Sequence, residues 1–149
     1  MMRLARILAP TLPLKGVLLI NGIMGSGKTF LCRHLIQAKQ ENEKKHVEDI
    51  PSPTFTLIQT YNFESAEIWH CDFYRIKTAN ELLELGLEEG FESALCLIEW
   101  PKGLDNLEIF DVANLEIKTG PNITERELIF VSESEKWRAF AKKFESIIF

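Results

Sequence analysis

Apolar residues along this chain fall into short blocks, and their period changes from block to block. Val17-Leu18-Leu19-Ile20 is continuous, β-branched at both ends and bounded by Gly16 and Asn21-Gly22. That pattern predicts a strand buried on both faces of a parallel sheet. Residues 4–12 predict a short helix before it. From Lys28 to Lys39 the positions Phe30, Leu31, Leu35 and Ile36 recur at helical spacing, and the charged stretch 40–49 predicts a helix end and a solvated loop. Thr56–Tyr61 and Glu67–Asp72, joined by a polar turn near residues 62–65, predict a hairpin. Residues 79–91 predict a helix with Leu82, Leu83, Leu85 and Leu87 inward, broken up by Gly86 and Gly90. Ala94–Glu99 is a second buried-strand candidate. Val112–Lys118 and Glu125–Val131 flank Gly120-Pro121-Asn122 and predict an antiparallel pair. Trp137, Phe140, Ala141, Phe144 and Ile148 predict an amphipathic terminal helix packed on the sheet. Its polar face mixes charge signs, which disfavours a membrane-surface helix.

The chain has 149 residues, the size of a single domain spanning 1–149. A hydrophobic fraction of 46% and a charged fraction of 26% exclude collagen-like, disordered and disulfide-framework classes. No apolar run approaches the roughly 20 residues that span a bilayer. Cys32, Cys71 and Cys96 are odd in number and widely spaced, which predicts free thiols in a reducing compartment. The opening MMRLARILAPTLPL is interrupted by Pro10, Pro13 and Lys15 and does not read as a signal peptide. A cytoplasmic location is expected.

The net charge of −5 argues against gripping nucleic acid unaided. The average hides a split. Residues 1–40 hold six Lys or Arg and no acid, whereas residues 81–116 hold ten acids against the single base Lys102.

The basic segment contains Gly22-Ile23-Met24-Gly25-Ser26-Gly27-Lys28-Thr29, a complete G-x-x-x-x-G-K-[ST] between a predicted strand and a predicted helix. A loop that wraps a phosphate turns backbone N–H groups inward, which needs the angles Gly reaches cheaply. Gly22, Gly25 and Gly27 supply them, Ser26 lies in the same loop, and the following helix points its positive end at the anion. Lys28 is expected to reach the β- and γ-phosphates, and the Thr29 hydroxyl to ligate Mg²⁺, a hard cation that prefers oxygen. The absence of acids around this loop fits a polyanionic ligand.

Two acids end predicted strands, Asp72 and Glu99. Glu99 ends the more apolar one, so apolarity alone favours it as the metal-side acid. Both fit a division of labour: one carboxylate near the Mg²⁺, one orienting or activating water. Ser52-Pro53-Thr54 lies where switch-like loops of nucleotide hydrolases present a Thr, although such a tripeptide is also an ordinary turn. His70 reads more readily as a strand residue with a satisfied ring than as a catalyst. Trp100, between Glu99 and Pro101, is placed to stack on a base, to cap the site or to pack in the core.

These motifs, G-x-x-G-x-G-K-T, S-P-T-F-T-L, H-C-D-F-Y-R-I, E-L-L-E-L-G-L-E-E-G-F and L-I-E-W-P, occur in order. Together they resemble the bacterial TsaE (YjeE) family, over roughly residues 4–131. The resemblance implies an α/β, P-loop NTPase-type mixed sheet with a parallel core, antiparallel edge strands and flanking helices. It implies a Mg²⁺-dependent ATPase, slow alone, that acts with TsaB and TsaD in forming threonylcarbamoyladenosine at position 37 of tRNA and meets tRNA only through that complex. By position it makes Lys28 and Thr29 the Walker A pair, Thr54 the switch-like threonine and Asp72 the Mg²⁺-side carboxylate, against the apolarity rule. It sets Glu99 and Trp100 near the γ-phosphate. The resulting expectation has Lys28, Glu99 and Thr54 catalytic, Thr29 and Asp72 on the metal, and Gly22, Gly25, Ser26, Gly27, Lys28, Thr29, Phe30 and Trp100 on ATP. Phe30 stands where the family usually has Thr, and a lost hydrogen bond to a charged group costs roughly 1.5–3 kcal/mol. Ile23 replaces a common acid, and the N-terminal helix is short.

A small-molecule kinase is the competing class, but it needs lid arginines, and Arg75 is the only Arg between residues 34 and 125. No [NT]-K-x-D guanine reader supports a GTPase. A binding module with an inactive nucleotide site is the third reading. The acid-rich half is expected to be mostly solvated face, part of it suited to docking a basic surface of the partner proteins.

Overall fold

The computed structural model describes residues 1–105 and 107–147. Six strands form one sheet: β1 (Gly16–Gly22), β2 (Ile58–Asn62), β3 (Glu67–Asp72), β4 (Leu95–Glu99), β5 (Val112–Thr119) and β6 (Arg126–Ser132), in the order β2-β3-β4-β1-β5-β6. The inner four run parallel, and β2 and β6 add antiparallel edges, as the sequence reading expects. The helices are α1 (Met2–Leu8), α2 (Lys28–Asn42), α3 (Ala79–Glu84), α4 (Leu87–Ser93) and α5 (Arg138–Glu145).

Strand periodicity divides the core in two. Leu18, Ile20, Leu95, Leu97, Ala113, Leu115 and Ile117 face one side, under Leu31, Cys32, Leu35 and Ile36 of α2. Val17, Cys71, Cys96 and Ile98 face the other, under Leu82 and Leu87 of α3 and α4. β4 is buried along its whole length, which is why its sequence runs apolar rather than alternating. Trp137 and Phe140 are fully buried, and Phe144 packs on Phe130 of β6, so the terminal segment covers the sheet. Ile148, assigned to the same stripe from sequence, lies outside the described residues.

As expected, Gly86 divides residues 79–91: it adopts a left-handed backbone (φ 70) and ends the first of two helices. Three other expectations change. Gly90 does not break the second helix; a Cβ there would come within 2.5 Å of the Trp69 ring, so the glycine lets helix and strand approach. Leu83 points to solvent rather than inward. In the stretch 40–49, Gln40 is buried and clamps Glu48 through both ends of its amide (Nε2 to Oε2, 2.7 Å; Glu48 N–H to Oε1, 3.0 Å), so the loop start is anchored. No helix among the described residues is long and apolar enough to cross a membrane.

All three cysteines are free and buried. Burial pushes the Cys32 and Cys71 thiols well above their ordinary range and Cys96 to about 12. The folded chain therefore holds these protons more tightly than the unfolded chain, whose thiols titrate near 9. Their contribution is complete below that pH and is lost as pH climbs toward the folded values. The urea midpoint is expected to be insensitive to these groups below about pH 9 and to fall above it. At pH 8 a thiol reagent should modify no cysteine until the chain is unfolded; rapid labelling of the native protein would contradict this burial.

Candidate nucleotide site

The parallel register aligns three strand ends. Ile20 of β1 lies opposite Glu99 of β4, and Glu99 lies opposite Asp72 of β3. At this carboxyl edge of the sheet β1 gives way to the loop 22–27 and then to α2, the place where open α/β sheets bind ligands. A cleft of about 360 Å³ opens here, lined by Lys28, Thr29, Phe30, Thr54, Asp72 and Trp100 among others.

The loop's shape depends on glycine at two points. A Cβ on Gly22 would lie 2.5 Å from Ser26 Oγ and 2.6 Å from the Ile117 carbonyl of β5. Gly27, the residue before α2, has φ 107, a conformation that other residues rarely adopt. Ser26 is buried beneath the loop, so it and Gly22 support the cleft rather than line it. Gly25, Gly27 and Phe30 do line it. Phe30 is held edge-on by His34, with centroids 4.2 Å apart.

Lys28 is 4% exposed, and its Nζ donates to the carbonyls of Gly22 (2.7 Å) and Ile23 (2.8 Å). The Trp100 ring covers it, centroid 3.9 Å from Nζ. Trp100 therefore caps the Lys28 end of the cleft. Burial lowers the Lys28 pKa, and the nearby carboxylates of Glu99 and Asp72 oppose that shift.

The two acids each hold a threonine. Thr29 Oγ1 donates to Glu99 Oε2 (2.8 Å), and Thr54 Oγ1 donates to Asp72 Oδ2 (2.9 Å). Glu99 is 1% exposed and Asp72 is 3% exposed. Ser52 lies 2.8 Å from Thr54, which ties the S-P-T turn into the network. All the residues singled out from sequence thus meet at one edge, with Gly22 and Ser26 beneath it.

Three contributors were missed or underweighted. The Tyr74 N–H donates to Asp72 Oδ1 (2.9 Å), and its ring packs on Trp100 at 4.9 Å; the D-F-Y-R run held that signal. Arg126 Nε donates to the Ser26 carbonyl (2.9 Å) from β6, one hundred positions away, with no local motif to mark it. His70, read as a satisfied strand residue, is bonded through one ring nitrogen only: Nε2 lies 2.7 Å from Glu99 Oε1, and Nδ1 has no partner. Donor atoms of Cys32, His70 and Glu99 lie within 4.8 Å of one another. Burial pushes the Cys32 thiol well above its ordinary range, and His70 and Glu99 already bond each other. The donor set at the cleft itself, two hydroxyls and two carboxylates, is all oxygen and fits Mg²⁺.

Replacing Gly22 by Ala is expected to lower stability by about 1–3 kcal/mol through overpacking against β5. Urea unfolding checks this; an unchanged midpoint would show that the loop is not held as described.

The sequence model of the family described as "Threonylcarbamoyl adenosine biosynthesis protein TsaE" matches residues 1–128. A Rickettsia bellii protein named tRNA threonylcarbamoyladenosine biosynthesis protein TsaE is 44% identical over 104 residues, covering 69% of each chain. A protein of the same name from Haemophilus influenzae is 34% identical over 116 residues, covering 70% of each. Among curated relatives the matched share varies, and a Rickettsia felis protein is covered over 59% of its length. The crystal structure of Bacillus subtilis YdiB superimposes with a TM-score of 0.70 at 23% identity, covering 97% of this chain and 86% of that one, a likeness of fold. With the phosphate loop, both threonine–carboxylate pairs and the E-W-P strand end in place, the chain belongs to the TsaE family.

Proposed function

We propose that this protein binds ATP with Mg²⁺ in the cleft and hydrolyses it, as an accessory factor in forming the threonylcarbamoyl group on adenosine 37 of tRNAs that read codons starting with adenine. It works in the cytoplasm with TsaB and TsaD, and tRNA is held by that complex. The observation that carries the reading is the convergence of a buried ammonium, two threonine hydroxyls and two buried carboxylates on one cleft beside a helix start. The relatives' names support the pathway.

The residues divide the work by chemistry. The loop supplies backbone N–H groups and the start of α2, both suited to phosphate. Lys28 supplies a fixed positive charge whose carbonyl contacts and Trp100 lid hold it in one place. Thr29 and Asp72 would hold the metal, and their oxygens are the hard donors it prefers. Bound Mg²⁺ supplies charge neutralisation for the transferring phosphoryl group. By donating its proton to Glu99, Thr29 keeps its oxygen lone pairs free for a cation. Glu99 and Thr54 orient the attacking water, and Trp100 and Tyr74 shield the site from bulk solvent. Phe30 leaves only a backbone N–H where the family's Thr adds a hydroxyl, so nucleotide affinity is reduced relative to such relatives.

Lys28→Ala should abolish nucleotide binding, measured by titration with a fluorescent ATP analogue. Glu99→Ala should keep binding and lose hydrolysis; undiminished turnover would remove Glu99 from the chemistry. ATP hydrolysis should need Mg²⁺ and change when TsaB and TsaD are added. If the partners have no effect and a small metabolite accepts the phosphate, the protein is a kinase instead. The exposed acids Glu84, Glu88, Glu89 and Glu92 of α3 and α4 make partner affinity fall as salt rises; a flat salt dependence counts against docking through that face.

A further inference from the structure

Among the described residues, His70 Nδ1 is the one buried side-chain nitrogen or oxygen without a partner. His70 is fully buried in β3, two residues before Asp72, and it faces the α2 side of the sheet beneath the cleft. Its other nitrogen meets Glu99, a carboxylate otherwise engaged only by Thr29. An ionised carboxylate accepts hydrogen bonds and donates none. The ring therefore donates from Nε2, and in a neutral imidazole that leaves Nδ1 as a bare lone pair. An unpaired buried nitrogen is the cost of presenting the N–H to Glu99.

We propose that His70 is a positioning residue for ATP hydrolysis: it pins Glu99 Oε1 from below, so that Oε2 stays turned to the Thr29 hydroxyl at the cleft. His70 touches neither nucleotide nor metal and acts through Glu99. Without it, a buried carboxylate loses one of its two donors and the fixed orientation that goes with it. The inference rests on the proposed ATPase reading for its kinetic part, but the hydrogen bond itself does not depend on that reading.

Two measurements test it. In nitrogen-15 NMR of the wild-type protein, the His70 ring should carry its proton on Nε2 with Nδ1 bare, and Glu99→Gln should move that resonance. A ring without a proton on Nε2, or a resonance indifferent to Glu99→Gln, overturns the proposal whatever the protein hydrolyses. In kinetics, His70→Leu should lower kcat about 10–100-fold while ATP affinity holds, the loss typical when an outer support of a catalytic ligand is removed. His70→Gln, which places an amide N–H at similar reach, should recover most of the loss. A Leu variant at wild-type kcat, or a Gln variant no better than Leu, shows a residue that only fills space. If the Leu variant does not fold, the NMR assignment and the Gln variant still decide. If the wild type hydrolyses no ATP, the ATPase reading fails and the NMR result alone judges the His70–Glu99 bond.

Discussion

The structure turns on placing charge where water is scarce. Lys28, Asp72 and Glu99 are each at most 4% exposed and lie at one sheet edge. Isolated, each would carry a desolvation cost of several kcal/mol. Here each has partners: carbonyls and an aromatic face for Lys28, Thr54 and Tyr74 for Asp72, Thr29 and His70 for Glu99. Satisfying these groups requires β1, β3 and β4 to end in step, and the parallel register does this. The two-sided core beneath keeps that register from slipping, because a shift by one residue would turn every apolar side chain to the wrong face.

The network also explains how distant segments become one site. The loop after β1 is braced by β5 through the close approach at Gly22 and by β6 through Arg126. The S-P-T turn is tethered to the end of β3 through Thr54 and Asp72. The cleft sets one buried ammonium beside two fixed carboxylates at a helix start, with Lys28 Nζ held by the Gly22 and Ile23 carbonyls beneath the Trp100 ring.

Much of this was legible in the sequence because it is local. A phosphate loop is one continuous segment with glycine at its turns. Buried parallel strands read as apolar runs, so β1 stood out, and so did β4 with its terminal acid Glu99. The hairpin β2–β3 and the pair β5–β6 followed from turn residues and alternation. What sequence could not give were contacts between segments. Arg126 reaches the loop only because β6 lies beside β5, and the Glu99–His70 bond exists only because β3 and β4 are neighbours in register. Leu83 misled because a run of leucines hides which one faces out. Gly90 misled because a glycine that allows close packing looks, in one dimension, like one that ends a helix. Apolarity favours Glu99 as the metal-side acid and the family resemblance favours Asp72, and each acid in fact holds its own threonine.

The most direct test of the central claim is a crystal structure with Mg²⁺ and a non-hydrolysable ATP analogue. The account predicts the terminal phosphate beside Lys28 under Trp100. It places the metal on Thr29 Oγ1 with the Asp72 carboxylate next to it, and Glu99 still held by His70. A nucleotide bound elsewhere, or a metal that leaves Thr29 and Asp72 untouched, would contradict it.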